Sequence, residues 1–148
     1  MANILIIDDQ HYLKELISID LSFAGHHVTH VENVKDALES LRSCNPDIVL
    51  LDLYLQGYER WDLLHRLKLK KPRRPVLIVT IDEDLVNDPR LAEADGYIIK
   101  DIYADEVIKK IEDVLIIFNQ KNDLKAATNI VSRILKMNNA NSFFDFSA

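Results

Sequence analysis

One cysteine, three glycines and four prolines are all that the 148 residues contain of the types that staple, loosen or break a chain. Cys44 alone cannot form an internal disulfide, which excludes a disulfide-framed fold and points to a reducing cytoplasm as the expected home. With only Gly25, Gly57 and Gly96 available, neither a glycine-rich dinucleotide loop nor a P-loop can be written. Gly and Pro are also too scarce for a disordered chain. Positive charge is in deficit: the net charge of −6 offers no long-range field to steer a nucleic acid or an anionic membrane surface. No apolar run approaches the roughly 18 residues that a membrane span needs. Met1-Ala2-Asn3-Ile4 lacks the basic flank and long apolar core of a signal peptide. What remains, 48% hydrophobic, suits one globular domain.

Four short apolar runs stand out. Ile48-Val49-Leu50-Leu51 has no alternation, as expected of a strand in a parallel sheet covered on both faces, and it closes on Asp52. Ile4-Leu5-Ile6-Ile7 closes on Asp8 and Asp9, Val76-Leu77-Ile78-Val79 on Thr80, and Tyr97-Ile98-Ile99 on Lys100. His27 to Val31 alternates and suits an edge strand.

Between the strands, Leu13, Leu16, Ile17, Leu21 and Ala24 recur at helical spacing up to a glycine stop at Gly25. Asn33 caps a short helix carrying Val34, Ala37, Leu38 and Leu41. Trp61, Leu64 and Leu67, with Leu63 beside them, stripe a third helix. Its basic exit, Lys68 to Arg74, reads as a solvated helix end that complements the dipole rather than as an anion-binding patch. Asp88-Pro89 starts a short fourth helix reaching about Ala94, and a fifth from about Tyr103 to Phe118 has a wide apolar face. Strands alternating with helices predict an α/β fold, a doubly wound five-stranded parallel sheet.

In a flavodoxin-like order 2-1-3-4-5, Asp8, Asp9, Asp52, Thr80 and Lys100 fall into one crevice at the carboxyl edge of the sheet. A lone Asp at a strand end is ordinarily a cap or turn residue, but five convergent polar groups outweigh that reading. Clustered carboxylates repel unless a cation intervenes, and hard oxygen ligands suit Mg²⁺. Lys100 and Thr80 suit a phosphoryl group added to a carboxylate, with Asp52 as nucleophile. His26, His27 and His30 lack a Cys or Asp at ligand spacing and read as surface histidines, and His11 as a helix N-terminal residue.

This constellation resembles the receiver domain of two-component response regulators, the CheY-like family, over about Ala2 to Phe118. The resemblance implies that Asp52 is the phosphoacceptor, Thr80 and Tyr97 the switch pair, and Lys100 the conserved lysine. It implies Mg²⁺ on Asp9, Asp52 and the backbone carbonyl of Tyr54, with Asp8 acting through a water. The chain departs from the family at Gln56 and Asp101, where proline is usual, at Arg60, where glycine is usual, and at Ile81, where a small residue is usual. Without proline at 101, a trans Lys100–Asp101 bond is expected, because a cis bond before a non-proline residue costs roughly 2.5–4 kcal/mol.

The expected organisation is a receiver domain over 1–120 and a helical extension and tail over 121–148. The expected function is a stand-alone response regulator, a phosphoacceptor rather than a turnover enzyme. It would take its phosphoryl group from a histidine kinase or histidine phosphotransfer protein and signal to a downstream protein target. Nucleic-acid binding and membrane insertion are not expected. Two alternatives stay open: a phosphorylation-independent adaptor, motivated by Gln56, Ile81 and Asp101, and an aspartate-nucleophile phosphohydrolase. In the tail, Leu124, Ala127, Val131 and Ile134, widened by Ile130 and Leu135, predict a sixth helix from about Asp123 to Met137, capped by Asn122. It is expected to dock on the preceding helix, in the same chain or in a homodimer through the last two helices. The competing reading is a free recognition helix with Phe143, Phe144 and Phe146 as anchors.

Overall fold

The computed structural model describes residues 1–101 and 103–145. Five parallel strands, β1 (Asn3–Ile7), β2 (His27–Val31), β3 (Ile48–Asp52), β4 (Val76–Thr80) and β5 (Gly96–Ile99), make one sheet in the order β2-β1-β3-β4-β5. The predicted flavodoxin-like order is the observed one. Helices α1 (Tyr12–Phe23), α2 (Val34–Ser43), α3 (Trp61–Leu69) and α4 (Ala104–Asp145) connect or follow the strands.

Because side chains alternate across a strand, each central strand feeds two cores. Ile4, Ile6, Ile48, Leu50, Leu77 and Val79 pack with Ile17 and Leu21 of α1 and with Val107, Ile111 and Val114 of α4. Leu5, Ile7, Val49, Leu51, Val76 and Ile78 pack with Ala37 and Leu41 of α2 and with Leu63, Leu64 and Leu67 of α3. Unbroken apolar runs are what two-sided burial demands. The edge strand β2 has no buried residue, in keeping with its alternating sequence.

The helix ends follow their local chemistry. The Asn33 side chain accepts from the Asp36 N–H at 2.8 Å. After α1, Gly25 turns at φ +87°, and the His26 N–H returns to the Leu21 carbonyl at 2.9 Å. The side chains of Leu13, Phe143 and Phe144, and the whole of Phe146, lie outside the described residues.

Two local expectations are revised, and one element is added. Residues after β3 form a tight hairpin, Tyr54–Leu55 against Tyr58–Glu59. Gln56 and Gly57 at its tip have φ of 54° and 83°, as a two-residue hairpin of the primed type needs. The predicted fourth helix is not an α-helix: Glu83–Asn87 and Pro89–Glu93 are two 3₁₀ segments, each opened by an Asp, with Asp82 accepting from the Asp84 N–H and Asp88 from the Arg90 N–H. Closely spaced Asp caps restart the chain before an α-turn can propagate.

The predicted break between a fifth and a sixth helix does not occur either. From Ala104 to Asp145 the helix is continuous, and no Gly or Pro interrupts it, so Asn122 caps nothing. By internal contacts the chain divides into Met1–Leu115 and a second unit from Ile116 onward. In the second unit the predicted stripe is not buried: Leu124, Ile130, Val131, Ile134 and Leu135 are all more than half exposed. Among the described residues, no helix is long and apolar enough to cross a membrane.

Candidate functional site

Asp8, Asp52, Thr80 and Lys100 are carried by strand ends, where the hydrogen-bond ladder runs on past the apolar runs. The Asp8 N–H donates to the Val31 carbonyl at 3.0 Å, the Leu53 N–H to Val79 at 3.1 Å, and the Lys100 N–H to Thr80 at 2.9 Å. The ladder therefore extends one residue beyond the apolar runs and delivers the polar side chains to a common edge.

There Asp8, Asp9 and Asp52 each present a carboxylate oxygen within 4.8 Å of the others. Backbone N–H groups orient all three: Gln10 donates to Asp8 Oδ1 at 2.8 Å, Gln56 to Asp9 Oδ2 at 2.8 Å, and Tyr54 to Asp52 Oδ1 at 3.0 Å. Lys100 Nζ donates to Asp52 Oδ2 at 2.8 Å and lies 3.6 Å from Asp8 Oδ2. Two carboxylate oxygens remain, Asp8 Oδ2 and Asp9 Oδ1, both buried and without a hydrogen-bond partner.

An arrangement of this kind suits a divalent cation. Buried acceptors are normally satisfied, and orphaned oxygens facing like charges are costly unless a positive ion meets them. An all-oxygen donor set with room for water fits Mg²⁺ better than a soft metal. Burial pushes the Asp52 carboxyl up to about 6, with Asp8 adding to the rise and Lys100 opposing it.

Thr80, almost fully buried, accepts from the Asp82 N–H at 3.1 Å, so its hydroxyl proton can still donate. Lys100 reaches Asp52 without a proline behind it: the Lys100–Asp101 bond is trans, as expected, and Lys71–Pro72 is the cis bond among the described residues. Tyr97 is not drawn into the carboxylate cluster. It sits on β5 with its ring exposed and Lys110 Nζ 5.9 Å from the ring centre. Tyr54 follows the cluster in the hairpin, its side chain exposed. Ile81, 78% exposed, lines a recess of about 240 Å³ with Gln10, Glu83, Ile99, Lys100 and Asp101.

Two contributors escaped sequence reasoning because they act through main chain. Gln10 orients Asp8, and its side-chain Oε1 also lies 3.5 Å from Lys100 Nζ. Gln56, notable in the sequence only as a departure, holds Asp9 through an N–H that proline lacks, at a positive φ that proline cannot adopt. The histidines stay outside the cluster: His26 Nδ1 accepts from the Ala2 N–H at 3.0 Å, and the His11 and His30 rings face each other at 6.0 Å.

The response regulator receiver domain family model matches residues 4–112. Among characterised relatives, the "Probable transcriptional regulatory protein TcrX" of Mycobacterium tuberculosis is 31% identical over 117 residues, covering 77% of this chain and 50% of that protein. PhoP of Escherichia coli is 26% identical over 114 residues, covering 76% and 51%. The chain thus spans about half the length of these relatives.

Among solved structures, TrrA of Thermotoga maritima in complex with Mg²⁺ and BeF superposes with a TM-score of 0.68 at 27% identity, covering 77% of this chain and 99% of TrrA. TrrA has also been solved in complex with the histidine kinase ThkA. NtrX of Brucella abortus superposes with a TM-score of 0.75 at 26% identity, covering 84% and 29%. With the family match over most of its length and the five-stranded order in place, the chain belongs to the receiver domain family of two-component response regulators.

Proposed function

We propose that Asp52 accepts a phosphoryl group from a phosphohistidine, donated by a histidine kinase or histidine phosphotransfer protein, and that the phosphorylated protein signals by binding a downstream protein target in the cytoplasm. The observation that carries this reading is the nucleophile's setting. Asp52 Oδ2 lies 2.8 Å from Lys100 Nζ, in a carboxylate cluster where two buried oxygens have no hydrogen-bond partner.

In the transfer, an Asp52 oxygen attacks phosphorus, an aspartyl phosphate forms, and the P–N bond breaks with its electron pair returning to the imidazole. Lys100 compensates charge on the incoming phosphoryl oxygens, and the Thr80 hydroxyl donates to one of them. Asp8, Asp9, Asp52 and the Tyr54 carbonyl would hold Mg²⁺, which supplies neutralisation of the transferring group when bound. Thr80 and Tyr97 form the pair that reads out the change. The product stays on the protein, so the chain is a phosphoacceptor with self-catalysed transfer and dephosphorylation rather than a turnover enzyme.

Incubation with a small phosphodonor and Mg²⁺, followed by intact-mass measurement, should show one acid-labile phosphoryl group, dependent on the metal. No gain would favour an adaptor that works without phosphorylation. Repeated turnover of phosphomonoesters would favour a hydrolase.

Residues 1–120 form the receiver in this reading and 121–148 an extension for self-association. Ile117, Leu124 and Val131 recur every seven residues, and Ala127 and Ile134 follow at three, the repeat of a coiled-coil seam. Most of that stripe is exposed in the single chain. A second copy offers the same stripe and buries both. Analytical ultracentrifugation should give a dimer that truncation after Gln120 dissolves; an unchanged mass would reject the seam.

A further inference from the structure

Arg74 is only 5% exposed, and its Nε and Nη1 have no hydrogen-bond partner. It stands just before β4, at the amino edge of the sheet, opposite the carboxylate cluster. A cleft of about 690 Å³ opens there, lined by Arg74 together with Arg42 at the end of α2 and Lys70 and Lys71 after α3. Leu38 and Leu41 of α2 supply an apolar wall. Among the described residues, no carboxylate lines this cleft.

The basic run after α3, which the sequence presents as a uniform solvated helix end, is therefore divided in the fold. Lys68 is spent on an ion pair with Asp95, while Lys70, Lys71 and Arg74 line the cleft. The carboxylate whose field reaches Arg74 is Asp47, and it lies beyond ion-pair distance with Oδ2 already accepting from the Asn3 N–H at 2.7 Å. Burial pushes the Arg74 guanidinium down from its ordinary value, and Asp47 only partly opposes this. Guanidinium groups remain charged in proteins, so Arg74 adds a fixed positive charge to the wall of this cleft.

We infer that this cleft is a binding site for a small phosphate ester, separate from the phosphorylation site. Its phosphate meets Arg74, Arg42 and the two lysines, and its organic body lies on Leu38 and Leu41. Planar, forked guanidinium donors match phosphate oxygens, and three further cations surround the same space. The volume lies within the roughly 300–1,000 Å³ of small-molecule sites and is larger than a bare phosphate needs. The apolar wall favours a ligand with a nonpolar or aromatic face over an inorganic ion. A nucleoside monophosphate has both parts.

The test is an amide NMR titration of the full chain with AMP in magnesium-free, low-salt buffer, with inorganic phosphate and adenosine as separate arms. AMP should give saturable shifts at residues 38–45 and 70–75 and none at Asp52 or Lys100. Phosphate should bind the same residues more weakly, and adenosine should not bind. Arg74→Met should weaken AMP by about tenfold or more, as expected for loss of a charge-assisted pair. Because Arg74 is buried and its replacement can disturb folding, the exposed Arg42→Gln is the parallel variant and should also weaken AMP. Asp52→Asn should bind AMP as the wild type does, which keeps this site distinguishable from the proposed phosphoacceptor. Absence of saturable shifts at millimolar AMP, unchanged affinity in both cleft variants, or phosphate binding as tightly as AMP would each overturn the assignment.

Discussion

Asp8→Asn should make the metal-free protein more stable and the metal-bound protein less responsive to Mg²⁺. Asp8 is fully buried, and its oxygen in the three-carboxylate set lies within 4.8 Å of those of Asp9 and Asp52. At an effective dielectric of about 20, each like-charge pair at that separation costs roughly 3.5 kcal/mol. The Lys100 ammonium, 3.6 Å from Asp8 Oδ2, returns about 5 kcal/mol on the same scale. Replacing the carboxylate by an amide of the same shape therefore relieves about 2 kcal/mol net, and Lys100 keeps its bond to Asp52. For a chain of this size that is a rise in melting temperature of roughly 4–8 °C in chelator. Magnesium at a hundred times its dissociation constant should stabilise the wild type by about 2.7 kcal/mol and the variant much less. Differential scanning calorimetry with and without Mg²⁺ reads both effects. A variant less stable than wild type in chelator, or one with a full magnesium shift, would refute the picture of a strained acidic cluster awaiting a cation.

Further outcomes follow from the same geometry. Ile81 lines the recess beside Lys100, and its bulk should hinder the in-line water that hydrolysis needs, so phospho-Asp52 should decay faster in Ile81→Ala than in wild type; equal or slower decay would reject this. A Cβ at Gly96 would sit 2.9 Å from Leu77 Cδ2 in the core, so Gly96→Ala should cost about 1–3 kcal/mol in urea denaturation, and an unchanged midpoint would contradict the packing. Asp52 titrates near 6 in the folded, metal-free protein against 3.8 for the free side chain, so the folded state holds the extra proton between those values. That stability is present below about pH 4 and is lost as pH rises through about 6, by a few kcal/mol at most, and Asp52→Asn should flatten the dependence.

Much of the fold could be read from the chain because its signals are local and repeated. Four apolar runs closing on Asp8, Asp52, Thr80 and Lys100 identify strands and place polar groups at one edge. The period-two split of the runs in β1, β3 and β4 between two cores then follows from burial on both faces. Features set by main-chain geometry were not legible. The Gln56 N–H that holds Asp9 depends on a hairpin tip with two positive φ values, and no side-chain pattern announces it. The 3₁₀ segments arise from Asp82 and Asp88 capping in quick succession, where the Asp88-Pro89 start alone suggests one short helix. A polar stretch, Asn119 to Asp123, looks like a break between helices, but with neither Gly nor Pro it costs a helix too little to end it. The burial of Arg74 is a tertiary outcome: in the sequence it is one cation in a basic run.

The central claim is that Asp52 alone receives the phosphoryl group, since it is the carboxylate hydrogen-bonded by Lys100 within the acidic cluster. Intact-mass measurement of wild type and Asp52→Asn after incubation with a phosphodonor and Mg²⁺ tests it directly. The account predicts an acid-labile gain of one phosphoryl group in the wild type and none in the variant. The same gain in Asp52→Asn would contradict it.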